Sequence, residues 1–246
     1  MKNIVIIGAT SAMAQEVAKQ YADQSNRLYL VARNEEKLKV IAQDCRVRSG
    51  QMVDEFIADL TDRTQINKMF EDIQTKLPHI DVMLVAHGTL PDQKQCEQNV
   101  DKALRAIAEN GLSAINILTI AANIFESQKR GTIAVISSVA GMRGRQSNYV
   151  YGSAKSMVST FVQGLRNRLC KSHVHIVDIK PGFVDTPMTA HITKKGALWA
   201  SSEQVGTIII SAIDKKKNTV FAPFFWRYIM QIITSIPESI FKKLSL

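Results

Sequence analysis

The chain has 246 residues, 46% of them hydrophobic and 22% charged, and its 31 Lys and Arg against 22 Asp and Glu give a net charge of +9. A chain of this size buries roughly 70–75% of its unfolded surface, and α/β folds of about 250 residues often form one unit, so a single core is expected. The apolar content excludes disorder as the main state, and three widely spaced cysteines (Cys45, Cys96, Cys170) exclude a disulfide scaffold and offer no metal-ligand spacing.

The N-terminal apolar run, Ile4–Ile7, is far shorter than a signal sequence, and no stretch approaches the roughly 18 apolar residues of a spanning helix, so a cytoplasmic location is expected. That run is the first of seven predicted strands. The others are Leu28–Val31, Glu55–Ala58, Val82–Val85, Thr132–Ile136, Val174–Ile179 and Thr219–Phe221. Most are continuous apolar runs, as strands covered on both faces require. Amphipathic stretches of helical length separate them, among them Ala12–Asp23, Glu35–Arg48, Arg63–Lys76 and Val150–Cys170. This alternation predicts a doubly wound α/β fold, one domain with a seven-stranded parallel sheet and helices on both faces. Ligands of such folds bind beyond the carboxyl ends of the strands, so the residues after each strand are the candidates.

After the first strand comes Gly8-Ala9-Thr10-Ser11-Ala12-Met13-Ala14. A glycine turn and small residues at a helix start let backbone N–H groups approach a pyrophosphate, although a turn used for packing alone reads the same way. The second strand ends at Arg33, where an arginine can meet a 2′-phosphate with paired donors and an acidic residue would repel it; a solvated helix-start residue is the alternative. This favours NADP(H) over NAD(H). Asp59-Leu60 follows the third strand and suits an adenine-edge contact, unless Asp59 simply begins the next helix. The fourth strand leads into Ala86-His87-Gly88. His87 is read as filling space or bonding to backbone rather than as a catalyst, and His173 and His175 as structural rather than a metal pair; no metal site is expected.

Ser137-Ser138 ends the fifth strand with hydroxyls, and Tyr151-Gly152-Ser153-Ala154-Lys155 opens a helix with Tyr151 and Lys155 on one face. Asn110 sits where a middle helix would pass below them. Tyr151-x-x-x-Lys155, Ser138 thirteen residues earlier, Asn110, the Gly8 turn, Asp59-Leu60 and Pro181-Gly182-Phe183-Val184-Asp185-Thr186 together resemble the short-chain dehydrogenase/reductase family over nearly the whole chain. The resemblance implies a Rossmann domain over 1–220 and an enzyme that reduces a ketone with a nicotinamide hydride. Tyr151 would be the general acid, Ser138 the hydrogen-bonding partner of the substrate oxygen, and Lys155 the holder of the nicotinamide ribose. Asn110 would position a water that relays protons to Lys155. Gly8, Thr10, Ser11, Ala12, Met13, Arg33, Asp59, Leu60, Ala86, Gly88, Pro181, Gly182, Val184 and Thr186, with Tyr151 and Lys155, would hold the cofactor. The Lys155 ammonium is expected to lower the phenol of Tyr151 from its ordinary value near 10. Two departures stand out: Ala12 and Ala14 replace glycines of the first turn, and Val85-Ala86-His87-Gly88 replaces Asn-Asn-Ala-Gly.

The segment from Arg166 to Leu246 has 12 Lys and Arg against 5 Asp and Glu and so supplies +7 of the net charge of +9. It includes Lys194-Lys195, Lys215-Lys216-Lys217 and Lys242-Lys243. Residues 221–246 read as an apolar and basic extension of the same domain, with aromatics beside Arg227 and a break at Pro237. Two uses remain open: a lid or oligomer contact (a homodimer or homotetramer), or a peripheral contact with the inner face of the cell membrane. Nucleic acid is disfavoured because the charge lacks a binding motif. Val150–Ser153, Thr186–His191 and the tail further resemble the decaprenylphosphoryl keto-pentose reductase-like members of the family. That implies a keto-sugar on a polyprenyl phosphate or other glycolipid as substrate, and a place in cell envelope polysaccharide synthesis. A small or acyl-carrier-bound ketone is the alternative substrate, and a non-catalytic nucleotide sensor the alternative function.

Overall fold

A computed structural model describes residues 1–190, 192 and 196–244; His191 and the Lys194-Lys195 pair lie outside the described residues. The chain runs β1 (Asn3–Ile7), α1 (Ala12–Asp23), β2 (Arg27–Ala32), α2 (Glu35–Ser49), β3 (Val53–Ile57), α3 (Arg63–Lys76) and β4 (Val82–Val85). It continues through α4 (Gln93–Gln98), α5 (Val100–Ile107), α6 (Ser113–Gln128), β5 (Thr132–Ile136), α7 (Tyr149–Leu169), β6 (His175–Pro181) and β7 (Phe183–Asp185). It closes with β8 (Trp199–Ser201), α8 (Ser202–Asp214), β9 (Thr219–Ala222), α9 (Trp226–Ser235) and α10 (Glu238–Phe241).

Seven strands form one parallel sheet in the order β3-β2-β1-β4-β5-β6-β9. Strand side chains alternate between faces, and β1 shows what that does here. Ile4 and Ile6 enter the core beneath α1, α2 and α8, while Val5 and Ile7 enter the one beneath α3, α6 and α7. Both layers are apolar because both faces are covered, and each fully buried aliphatic side chain stabilises the fold by about 1.5–3 kcal/mol. Strand order reverses between β1 and β4, which opens a crevice at the carboxyl ends of those strands.

The expected elements are present with shifted edges. β3 begins two residues early because Val53 pairs with Leu28, and it ends before Ala58 as the chain turns toward Asp59. β6 starts at His175 and runs on to Pro181, since Lys180 and Pro181 pair with Phe221 and Ala222 of β9. The middle helix is not continuous. It is divided into α4, α5 and α6, with a π-helical turn, Ala108–Leu112, between the last two. β7 and β8 form a two-stranded parallel sheet that sequence periodicity did not reveal, for three-residue strands carry too little pattern.

Candidate active site

The crevice is lined by Gly8, Thr10, Ser11, Ala12, Met13, Arg33, Asp59, Leu60, Gly88 and Thr186, all expected there, and also by Ala32, Ala58, Thr61, His87, Thr89, Glu109, Ser113, Pro187 and Met188. Ala86, Pro181 and Val184 are instead buried, Ala86 with its N–H on the carbonyl of Ile7, and Gly182 is covered by Trp226.

Gly8 has φ +84°, and a Cβ there would lie 2.5 Å from the backbone nitrogen of His87. The β1 and β4 turns therefore pass too closely for any side chain, which brings both to the mouth of the crevice. Ser11 precedes α1 without a side-chain capping bond, so the first N–H groups of that helix remain open toward the crevice. These features fit a dinucleotide pyrophosphate, which needs unpaired N–H donors at a helix N-terminus and close backbone approach. The alanines at 12 and 14 do not obstruct it: Ala12 lines the crevice and Ala14 faces the core.

On the far side of β2, Arg33 lies exposed on the rim, and Asn34, not Arg33, caps α2. Asp59 does not begin a helix either. Asp62 caps α3, while Asp59 accepts the N–H and hydroxyl of Thr61 at 2.9 and 2.8 Å. Those bonds, with Arg33 nearby, hold its carboxyl below the ordinary value.

Ser138, Tyr151, Lys155 and Asn110 do not line the crevice itself; they gather where β5 and α7 meet the turn at Gly88. Ser138 caps a 3₁₀ turn, Val139–Met142, its hydroxyl accepting the N–H of Ala140 at 3.1 Å. A Cβ on Gly141 would lie 2.7 Å from the backbone of Lys155, and one on Gly152 2.8 Å from the carbonyl of Ala140. This glycine pair lets the turn sit directly on α7, which brings the Ser138 hydroxyl close enough to the Tyr151 phenol to favour its ionised form. The Lys155 ammonium donates to the carbonyl of Ile136 at 3.1 Å and lies 5.8 Å from the Tyr151 ring centroid.

The π-helical turn carries Asn110. Its side-chain amide donates to the carbonyl of Ala106 at 2.9 Å, while Asn110 Oδ1 accepts the N–H of Thr89 at 2.8 Å. Gly88 separates Asn110 from Lys155: its missing Cβ would be 2.8 Å from Asn110 Oδ1 and 3.4 Å from Lys155 Nζ.

The electrostatics correct one expectation. Burial pushes the phenol of Tyr151 up to about 12, and the group that opposes this is the hydrogen bond with Ser138 rather than the Lys155 ammonium. Burial pushes Lys155 down to about 8, and Asp178 opposes that. The phenol is therefore protonated at neutral pH, the state a proton donor needs. His87 is pushed down to about 3 by burial and by Lys155. Its Nε2 lies 2.8 Å from the Ser113 hydroxyl, which itself donates to the carbonyl of Glu109 at 2.9 Å, so His87 is neutral with Nε2 as the donor.

Sequence reasoning passed over this His87–Ser113 pair, the Gly141–Gly152 contact and Arg143. The guanidinium of Arg143 donates to the carbonyls of Ile233, Thr234 and Ile236, pairs with Glu238 at 2.9 Å and ties the tail to the Ser138 turn. The glycines at 141 and 152, one in each motif, were the available signal.

The tail has one packed face and one exposed face. Trp226 and Met230 of α9 are buried against Val139, whereas Phe224, Tyr228 and Ile232, at helical spacing, face outward with Ile240. α9 and α10 are separate helices broken at Pro237. No helix among the described residues is long and apolar enough to cross a membrane, and no cluster of metal-ligating side chains occurs among them.

The fold and this Ser–Tyr–Lys cluster define an α/β oxidoreductase. A profile of the short chain dehydrogenase family matches residues 2–197, and the chain belongs to that family. It is 30% identical over 188 residues to an uncharacterized oxidoreductase of Staphylococcus epidermidis, covering 76% of this chain and 80% of that protein. It is 28% identical over 241 residues to an uncharacterized oxidoreductase of Mycobacterium tuberculosis, covering 98% and 96%. Among solved structures, a short-chain dehydrogenase from Sphingobium yanoikuyae in complex with NADPH superposes with a TM-score of 0.83 at 20% identity, covering 97% of this chain and 98% of that one. A bulky-bulky ketone specific alcohol dehydrogenase from Comamonas testosteroni gives 0.81 at 20% identity, covering 97% and 96%. These structures share the fold.

Proposed function

We propose that this oxidoreductase uses NADPH to reduce a ketone to a secondary alcohol, and that the ketone is a keto-sugar carried on a polyprenyl phosphate. One observation carries the chemistry: a protonated, half-buried phenol at Tyr151 stands next to Ser138 and the buried Lys155. Bound NADPH would supply the hydride. Tyr151 donates its proton to the developing alkoxide, and Ser138 holds the same oxygen where charge builds up. Lys155 would hold the cofactor ribose, and the Ser138 hydroxyl, which favours the ionised phenol, stabilises the phenolate left behind. Asn110, kept rigid by Ala106 and Thr89, positions the water that returns a proton to Lys155. Gly8, Thr10, Ser11, Ala12 and Met13 would hold the pyrophosphate, Arg33 the 2′-phosphate, Asp59 and Leu60 the adenine, and Gly88 and Thr186 the nicotinamide half; all of them line the crevice. The Sphingobium structure described with NADPH is consistent with that cofactor.

The substrate reading rests on residues 221–246. Phe224, Tyr228, Ile232 and Ile240 point outward beside exposed Arg227, Lys242 and Lys243, an apolar and cationic surface suited to an anionic lipid interface. The inner face of the same tail packs on the turn that carries Ser138, so a lipid carrier held outside lies near the reaction centre. Incubation with NADPH and extracted polyprenyl-linked sugars, followed by mass measurement, tests the reaction. The expected product gains two hydrogens, and no such product from any lipid-linked sugar overturns the substrate assignment. For the surface, we expect sedimentation with vesicles containing phosphatidylserine, weakened by salt and lost on Ile232→Ser with Lys242→Glu. Unchanged sedimentation of that variant would remove the tail from the account.

A further inference from the structure

Behind Lys155 lies a closed polar cluster that plays no part in the steps above. Asp178 and Lys180 alternate along β6 and so project from the same face of the strand. They form an ion pair at 2.9 Å, with Asp178 1% and Lys180 8% exposed. The Ser137 hydroxyl donates to Asp178 Oδ1 at 2.5 Å and the Lys180 ammonium donates to the Ser159 hydroxyl at 2.6 Å. Ser137 immediately precedes Ser138, and Ser159 stands one helical turn after Lys155 on α7. The cluster thus joins the strand that presents Ser138 to the helix that presents Tyr151 and Lys155.

A sealed ion pair is a poor device for stability. Removing two charges from water costs several kcal/mol per ion, and well-packed apolar residues would serve as well or better. Its consequence is electrostatic and local. We propose that Asp178 is a positioning residue for the proton-transfer site, a buried carboxylate that keeps the Lys155 ammonium charged and, through Ser137, holds the Ser138 turn against α7.

The groups facing Lys155 support this. From α7 it meets the neutral phenol of Tyr151, from the β4 turn the neutral His87, from the π-helical turn the uncharged Asn110, and from β5 the carbonyl of Ile136. Among the described residues Asp178 on β6 is the one anion that acts on it, and it raises Lys155 against the effect of burial. Asp178 is itself balanced by Lys180 and acts on Arg166 of α7, whose guanidinium donates to the carbonyls of Ile176 and Asn218.

The inference rests on Lys155 belonging to the proton-transfer site, and its test needs no substrate, so it fails or stands apart from the substrate assignment. In the full-length protein labelled with [¹³C]lysine, the Lys155 side-chain signal is assigned by its loss in Lys155→Met and followed against pH by NMR. The wild-type midpoint is expected near about 8. Asp178→Asn should lower it by about half a pH unit or more. Asp178→Asn combined with Lys180→Met removes both buried charges together, so it keeps the fold where the single variant loses it, and it should lower the midpoint as well. A midpoint equal to wild type in either folded variant would overturn the proposal.

Discussion

The guanidinium of Arg143 lies 3.9 Å above the ring of Phe241, and through that contact the C-terminal helix is fastened to the turn that begins at Ser138. The same side chain, only 15% exposed, takes three carbonyls at the end of α9, where a helix leaves acceptors unpaired. Arg143→Ala should therefore destabilise the protein by about 2 kcal/mol and expose residues 236–244 to protease, with NADPH affinity within about threefold of wild type. Thermal melts and limited proteolysis read this directly. Wild-type resistance to cleavage would show that the tail is held by its apolar face alone.

Arg33 stands free of the α2 cap on the rim of the crevice, where a 2′-phosphate would need a cation. Arg33→Asp should weaken NADPH by at least about tenfold while leaving NADH within about threefold, as measured by fluorescence titration. Equal losses for both nucleotides would reject the NADP(H) assignment.

His87 predicts an acid-sensitive fold. Its folded value of about 3 lies below its ordinary 6.5, so the native state disfavours the proton that the unfolded chain takes up. Stability contributed by neutral His87 is complete above pH 6.5 and is lost progressively as pH falls from 6.5 toward 3, on the order of a few kcal/mol in all. Denaturant melts of His87→Asn should show a flatter dependence over that window. A slope equal to wild type would mean that other groups dominate the acid limb.

Much of this was legible in the residues because short apolar runs such as Ile4–Ile7 and Val82–Val85, alternating with amphipathic stretches of helical length, suit strands buried on both faces. The Tyr151-to-Lys155 spacing set both side chains on one helix face before any coordinates. What escaped was tertiary. The effect of Lys155 on Tyr151 depends on where the ammonium points, and it points to the carbonyl of Ile136. The break at Asn110 is a π-helical turn that apolar periodicity does not mark, and the closeness of Ser138 to Tyr151 depends on two glycines whose meeting no spacing rule announces. The buried Asp178–Lys180 pair read as an ordinary strand because charge alternating along β6 does not say which face is sealed.

The central claim is that the Tyr151 phenol gives its proton to a ketone oxygen while Ser138 and Lys155 hold the surrounding charge. Single-turnover reduction by NADPH-loaded Tyr151→Phe, compared with wild type on the same lipid-linked keto-sugar, measures that proton transfer alone. A rate lower by about 10²–10⁴-fold with unchanged NADPH binding is the predicted result. Reduction within a few-fold of wild type by the phenylalanine variant would contradict it.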